Sequence, residues 1–212
     1  MLTLEFTRTL YPADADSAHD FDHVLRVVAM ADRIAQAEGA DRETVRAAAL
    51  LHDIGLDAGR AGHETSAANR AKEILREHGY AGTFCESVAH AIESHRFRSG
   101  PAPQTLEAKV LFDADKLDAI GAIGVARAYA MSGMHHKPLW AEVSADYAGR
   151  QRTQGRGDAT SEGHTAVHEF VFKLSRLKDT LFTDAAKRIA VERHRFMDEF
   201  FARLSAEVKG ER

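Results

Sequence analysis

The residue types of a metal site are spread over the first half of the chain. They are His23, His52, Asp53 and an acid from the segment DADKLDAIG, which begins at residue 113. His52 and Asp53 follow the apolar run AAALL, which should be buried, and buried polar groups are costly without a partner. A neutral imidazole and a carboxylate suit a divalent ion such as Mn, Mg, Ni, Fe or Zn. These residues therefore predict a metal centre.

Three acids compete for the last ligand position, namely Asp113, Asp115 and Asp118. We favour Asp115 because it stands one helical turn after Leu111, on a face that should be buried. Asp118 lies near that face too. Two imidazoles and two carboxylates leave open positions on a six-coordinate ion, and a catalytic metal needs such positions for water and substrate.

The elements that must position these ligands are predicted to be helices. Apolar residues recur with helical spacing, and no long segment alternates as a strand does. A first helix from about 17 to 37 points His23 inward, and Asp41 caps a second helix that ends at His52 and Asp53. His63 and Glu64 begin a third helix, and Thr105 caps a helix that continues or restarts at Gly121.

The rest of the chain completes one predicted domain over residues 1–212. The metal-binding core covers about 17–130, and an irregular excursion rich in Gly, Arg, Gln and Thr follows at about 131–161. This excursion is a candidate lid. Two closing helices are expected at about 162–181 and 183–208. Apolar faces on these terminal helices make a homodimer plausible.

Composition excludes several classes of protein. Of the 212 residues, 44% are hydrophobic and 28% charged, which is typical of a soluble globular domain. The net charge is -4 with no basic stripe, which argues against a nucleic-acid platform. No apolar stretch approaches a membrane span, and there is no apolar signal core. A single cysteine, Cys85, fits a reducing cytoplasm, which is the expected location.

Three segments in order resemble one known family. They are SAHDFDHVLRVV from Ser17, AAALLHDIG from Ala47 and LFDADKLDAIGAIGVAR from Leu111, and the C-terminal tail is also similar. The chain resembles the HD-domain superfamily of metal-dependent phosphohydrolases, and within it the small stand-alone bacterial proteins. The resemblance implies an all-α fold and metal ligands at His23, His52, Asp53 and Asp115. It also implies cleavage of phosphoester or phosphoanhydride bonds, and relatives close to this subgroup hydrolyse nucleoside triphosphates.

Other residues are candidates for catalysis and substrate binding. Asp53 is the natural residue to hold the attacking water, and His63 and Glu64 are candidates for proton transfer or second-metal ligation. The pair equally fits an ordinary first turn of a helix. The family resemblance favours positions near the substrate phosphates for His63 and His95. Candidates for neutralising phosphate charge are Arg26, Lys116 and Lys173.

Two functions from different classes follow from these residues. The first is a hydrolase acting on a small phosphorylated molecule, most plausibly a nucleotide. The second is a non-catalytic module that senses a nucleotide. The complete ligand set favours the hydrolase, since a sensor has less need of an open metal position. Contacts to a base or sugar are expected in the excursion and on the last helices.

Overall fold

The structure is a computed structural model that describes residues 2–12, 21–54, 63–96, 101–144, 147 and 163–211. Every regular element within these ranges is a helix, so the all-α prediction is confirmed. None of the helices in this part of the chain has both the length and the hydropathy that a membrane crossing needs.

The helices are short to medium in length and follow one another along the chain. They are α1 (Leu4–Arg8), α2 (Phe21–Glu38), α3 (Arg42–Leu51), α4 (His63–Glu77), α5 (Gly82–Glu93), α6 (Leu106–Asp118), α7 (Gly121–Met134), α8 (Ala166–Glu169), a π-helical turn (Phe170–Leu174), α9 (Ser175–Leu177), a 3-10 turn (Lys178–Thr180) and α10 (Asp184–Val208).

The chain divides into two compact units. Unit 1 consists of Met1–Leu117 and Leu181–Ala186, and unit 2 consists of Asp118–Thr180 and Lys187–Arg212. The sequence-based assignment of one domain to residues 1–212 stays a prediction, as does the homodimer.

Unit 1 is built on the packing of α2 with α3, α3 with α5, and α4 with α5. Its core includes the fully buried side chains of Ile34, Leu50, Leu75 and Ile92. Burying one such side chain contributes about 1.5–3 kcal/mol relative to leaving it exposed. This packing fixes α2, which carries His23, and α3, which His52 and Asp53 directly follow.

Local signals in the sequence set most of the helix ends. The Asp41 carboxylate accepts hydrogen bonds from the N–H groups of Glu43 and Thr44, at 3.2 and 3.3 Å, and so caps α3 as predicted. The helix predicted from Thr105 ends at Asp118 and restarts at Gly121. Gly121 has φ +78°, a left-handed conformation that side chains other than glycine rarely adopt, and this separates α6 from α7.

The helix predicted over 162–181 differs from the observed structure. The helical segment begins at Ala166, because the Thr165 side chain accepts a hydrogen bond from the His168 N–H and caps it there. A π-helical turn, Phe170–Leu174, then replaces the regular α-helical hydrogen bonding. Most of the predicted excursion lies outside the described residues, and its first part, up to Met134, belongs to α7.

Asp113 fastens α6 to the start of α10. Its buried carboxylate accepts hydrogen bonds from the Phe182 N–H at 2.9 Å, the Thr183 N–H at 2.7 Å and the Thr183 hydroxyl at 2.6 Å. The Thr183 hydroxyl oxygen also accepts from the Ala186 N–H at 3.4 Å, the bond of a helix N-cap. Asp113 is therefore a structural residue, and it holds α6 in register.

We expect Asp113→Ala to lower the free energy of unfolding by about 3 kcal/mol, because it leaves buried donors without an acceptor. Urea denaturation followed by circular dichroism measures this. Asp32→Ala is the matched control, since Asp32 forms an exposed ion pair with Arg42 at 2.8 Å and should cost under about 1 kcal/mol. Equal losses in the two variants would contradict the structural role of Asp113.

Candidate metal centre

Three predicted ligands from three helical segments meet in unit 1. His23 lies on α2, His52 directly follows α3, and Asp115 lies on α6. One ligand atom from each lies within 4.8 Å of the other two. His23 and His52 are fully buried, and the Asp115 side chain is 17% exposed. The sequence argument that favoured Asp115 thus agrees with the observed positions.

Asp53 completes the group. Its Oδ2 lies 3.7 Å from the His23 Nε2 and 3.5 Å from the His52 Nε2. The Oδ1 of Asp115 lies 3.5 Å from the same His23 nitrogen. The four predicted ligands therefore direct their polar atoms toward one small buried volume.

The orientation of His52 is set by its backbone surroundings. Its Nδ1 donates a hydrogen bond to the Ala49 carbonyl oxygen at 2.8 Å, so in the neutral ring the Nε2 carries a lone pair. This Nε2 lies 3.4 Å from the Nε2 of His23. Metal-binding histidines commonly donate the other ring N–H to a carbonyl or carboxylate in this way. Imidazole lone pairs and carboxylates gathered at these distances form a donor set that fits a divalent cation.

Lys116 makes a direct ion pair with Asp115. Its ammonium contacts the Oδ2 of Asp115, while the Oδ1 faces His23, so the two carboxylate oxygens have different partners. Burial raises the pKa of Asp115, but Lys116 and then the imidazoles of His23, His95 and His52 outweigh burial and hold that pKa below its usual range. The carboxylate is therefore in the ionised form that metal binding requires.

His95 lies beside this group on its Asp53 side. Its Nε2 is 3.8 Å from the Asp53 Oδ1, and its ring centroid is 5.3 Å from that of His52. The Nδ1 donates to the Ile92 carbonyl oxygen at 2.5 Å, so its Nε2 also faces the ligands. Burial, and then the nearby His52, lower the pKa of His95 to about 4. Asp53 thus faces two imidazoles with one oxygen and a third with the other.

Glu64 has a partner that sequence reasoning did not identify. The buried carboxylate accepts a hydrogen bond from the Arg96 guanidinium at 3.1 Å. Arg96 follows His95 directly, but no spacing rule links it to Glu64, 32 positions earlier. His63 begins α4 as predicted, and its side chain lies outside the described residues.

The remaining predicted site residues lie in different surroundings. Arg26 is half-buried one turn after His23 on α2. Lys173 lies in the π-helical turn of unit 2, where its ammonium donates to the Glu169 carboxylate at 3.0 Å. Asp118 accepts a hydrogen bond from Arg127 at 2.7 Å in the same unit. The substrate contacts predicted for Arg26, His95, Lys116 and Lys173 stay predictions.

Comparison with known proteins identifies the family. A model of the HD domain matches residues 20–120. YpgQ from Bacillus subtilis (strain 168) is 33% identical over 201 residues, which cover 93% of this chain and 88% of YpgQ. The chain belongs to the HD-domain family. The metal ligands that this family pattern implies fall on the residues that meet in unit 1.

Solved HD-domain structures have a similar fold. The crystal structure of Bacillus subtilis YpgQ in complex with ADP has a TM-score of 0.72 and 29% identity, and covers 96% of this chain and 91% of that one. An HD-superfamily hydrolase from Bacillus thuringiensis has a TM-score of 0.73 and 29% identity, with coverage of 97% and 94%. A Lactobacillus plantarum protein has a TM-score of 0.76 and 30% identity, with coverage of 99% and 100%.

We expect Lys116→Met to weaken Mn²⁺ binding by about tenfold or more, because hydrogen-bonded partners of metal ligands have effects of that size. The ammonium contacts the Oδ2 of Asp115 and so fixes the direction of the Oδ1 toward His23. Isothermal titration calorimetry measures the affinity. Lys109→Met, on the same helix, is the control and should bind Mn²⁺ as the wild type does. Unchanged Mn²⁺ affinity in Lys116→Met, with a raised KM for a phosphorylated substrate, would instead indicate a phosphate contact.

His95 should make the metal-free protein sensitive to acid. Its pKa of about 4 lies below the usual 6.5, so the unfolded chain takes up a proton that the folded protein does not. The effect is absent above pH 6.5 and grows as the pH falls toward 4. Between pH 7 and 5 it amounts to about 2 kcal/mol.

His95→Gln should therefore lose less stability over that range than the wild type, as measured by urea unfolding in EDTA. His135→Gln, which changes an exposed histidine, should keep the wild-type dependence. If His95→Gln and the wild type lose the same stability on acidification, the low pKa of His95 is wrong.

Proposed function

We propose that this protein is a metal-dependent HD-domain phosphohydrolase that acts on a small phosphorylated molecule, and that this molecule is a nucleotide. The observation that carries the proposal is the buried group of His23, His52, Asp53 and Asp115. Two imidazoles and two carboxylates hold a divalent ion such as Mn, Mg, Ni, Fe or Zn and leave coordination positions for substrate and water.

The chemistry follows from charge. When bound, the ion polarises a phosphoryl oxygen and lowers the pKa of a water molecule to near neutrality. The protein supplies the orientation. We assign to Asp53 the acceptance of a hydrogen bond from the attacking water, and its position supports this role, since its Oδ2 faces His23 and His52 while its Oδ1 faces His95. The Nε2 of a neutral His95 carries a lone pair and lies 3.8 Å from the Oδ1 of that carboxylate, so it can accept a second hydrogen bond from the same water.

Support for a nucleotide comes from the relatives. YpgQ, which is similar over nearly the whole chain, has been crystallised in complex with ADP. The similar structure from Bacillus thuringiensis is that of an HD-superfamily hydrolase, and the one from an uncultured Thermotogales bacterium is that of a predicted HD-superfamily hydrolase. We propose hydrolysis of a nucleoside triphosphate to its monophosphate and pyrophosphate, or removal of phosphate from a nucleotide, as the reaction.

The roles of the surrounding residues are part of this proposal. Arg26 and Lys116 are candidates for neutralising phosphate charge, Lys173 is a weaker one because its ammonium is paired with Glu169, and His63 and Glu64 are candidates for proton transfer. The ion pair between Glu64 and Arg96 offers a second role for that glutamate, which is to hold the guanidinium. A Glu64→Gln variant separates the two. Loss of a limb of the pH profile of kcat identifies a proton-transfer residue, and a raised KM alone identifies a positioning one.

The central test removes two ligands at once. We expect His52→Ala with Asp53→Ala to abolish Mn²⁺ binding and to remove release of phosphate and pyrophosphate, while helical circular dichroism persists. Metal content is measured by mass spectrometry, and the products from ATP and ADP by separate phosphate and pyrophosphate assays. His52→Gln with Asp53→Asn is the conservative version, in case the alanine variant is unstable.

The control is His194→Ala with Asp198→Ala, which removes another His–Asp pair, at 3.2 Å on α10. It should keep metal and activity. Wild-type hydrolysis by the His52/Asp53 variant would overturn the proposal. A wild-type protein that binds nucleotide with Mn²⁺ or Mg²⁺ present, and releases neither product over hours, would instead be the non-catalytic sensor.

A further inference from the structure

Unit 2 contains a second group of interacting polar side chains, remote in sequence from the metal ligands. It comprises Tyr147, His164, His168, Glu169 and Lys173, and we call it the His168 cluster. His164 and His168 are both buried, with 4% and 8% of their surface exposed. The π-helical turn that carries Lys173 directly follows this pair, and such turns are frequent at functional sites.

The hydrogen bonds of this cluster have a fixed direction. The Lys173 ammonium can only donate, and it donates to the Glu169 Oε1 at 3.0 Å. Burial raises the pKa of Glu169, but Lys173 and His164 outweigh it and hold the pKa at about 2, so the group is a carboxylate. Its Oε2 therefore accepts from the His164 Nε2 at 3.1 Å. The other nitrogen of a neutral His164 accepts from the Tyr147 hydroxyl at 2.6 Å. The Tyr147 oxygen keeps its lone pairs as acceptors.

The hydrogen-bond partners of His168 also show which of its ring nitrogens carries the proton. The Thr165 backbone N–H points at the His168 Nδ1 at 3.4 Å, and the Thr165 hydroxyl lies 2.9 Å from the same nitrogen. A backbone N–H can only donate, so the Nδ1 is an acceptor and the ring proton is on the Nε2. None of the residues that the structure describes accepts a hydrogen bond from this Nε2–H. This N–H is therefore a hydrogen-bond donor on a buried side chain, and it is available to a ligand.

The charges of the cluster disfavour an anionic ligand. Burial and then His164 lower the pKa of His168, so this ring is neutral at physiological pH. Burial and then Glu169 raise the pKa of Tyr147, which keeps its hydroxyl protonated. The charges of Lys173 and Glu169 cancel within their ion pair. The cluster thus presents one donor and one acceptor with no net charge.

We propose that the His168 cluster binds the sugar of a nucleoside, with the His168 Nε2–H donating to one hydroxyl and the Tyr147 oxygen accepting from its neighbour. The two rings touch edge to face with centroids 4.7 Å apart, so both groups belong to one small patch of unit 2. A hydroxyl both donates and accepts, and a vicinal diol therefore satisfies the pair. The choice of a nucleoside over a free carbohydrate rests on the proposed function.

The first measurement checks the cluster without ligand. Long-range ¹H–¹⁵N spectra of protein labelled with ¹⁵N-histidine distinguish the two neutral forms of the ring. We expect the Nε2–H form for both His164 and His168. A His168 ring protonated on Nδ1 would overturn the assignment of its donor, and with it the sugar site.

The second measurement is binding of uncharged probes in EDTA, which removes any contribution of the metal centre. Adenosine and methyl β-D-ribofuranoside should both shift the His168 resonances, and 2′,3′-dideoxyadenosine should bind at least about tenfold more weakly. His168→Phe should lose adenosine binding by a similar factor, and His168→Gln, which keeps an N–H donor, should restore part of it. His78→Gln, which changes an exposed histidine of unit 1, is the control and should bind as the wild type does.

The outcomes separate this site from the proposed function. If adenosine and its dideoxy analogue bind equally, if neither causes a shift, or if His168→Phe binds adenosine normally, the sugar site is wrong even when nucleotides are hydrolysed. If the riboside binds as tightly as adenosine, the ligand is a free carbohydrate and not a nucleoside. If adenosine binds through His168 while no nucleotide is hydrolysed, the sugar site stands and the proposed function fails.

Discussion

The interaction on which unit 1 depends is the close approach of buried imidazoles and carboxylates. Asp53 and Asp115 lie within 3.5–3.8 Å of ring nitrogens from His23, His52 and His95. Such groups are costly to bury unless charge and hydrogen bonds are balanced. A divalent ion held by these residues would balance them, and backbone carbonyls at Ala49 and Ile92 turn two of the rings so that their Nε2 atoms face the carboxylates. The helical packing of unit 1 thus holds these buried imidazoles and carboxylates close to one another.

Helix α6 carries three acidic residues that make different contacts. Asp113, Asp115 and Asp118 are close in sequence, but each has a different partner. Asp113 accepts from the start of α10, Asp115 faces the metal ligands, and Asp118 binds Arg127. Because successive helical positions are rotated about 100° from one another, such acids point in different directions. Asp113, which is bound to the start of α10, fixes the rotation of the helix within unit 1, and this rotation aims Asp115.

The sequence points to four residues that the structure brings together, because their types are costly in apolar helices and their flanking segments are distinctive. It also predicts the caps at Asp41 and Thr105, which are local signals. Contacts between residues that are distant in sequence are not predicted in this way. The pairing of Glu64 with Arg96 and of Asp113 with Thr183 depends on how helices pack, which side-chain periodicity does not encode. The late start at Ala166 and the π-helical turn also escape prediction, since hydrophobic spacing barely changes there.

The position of His52 at the C-terminal end of α3 has a further electrostatic meaning. Peptide dipoles add along a helix, so this end carries roughly half a negative charge on its unpaired carbonyl groups. Two of these groups are occupied by side chains, since Leu50 accepts from the Tyr11 hydroxyl and Ala49 from His52. The main chain therefore adds negative electrostatic potential at the position of Asp53. The backbone and the side chains both attract a cation at this point. The contribution of the backbone remains when the ligand side chains are substituted.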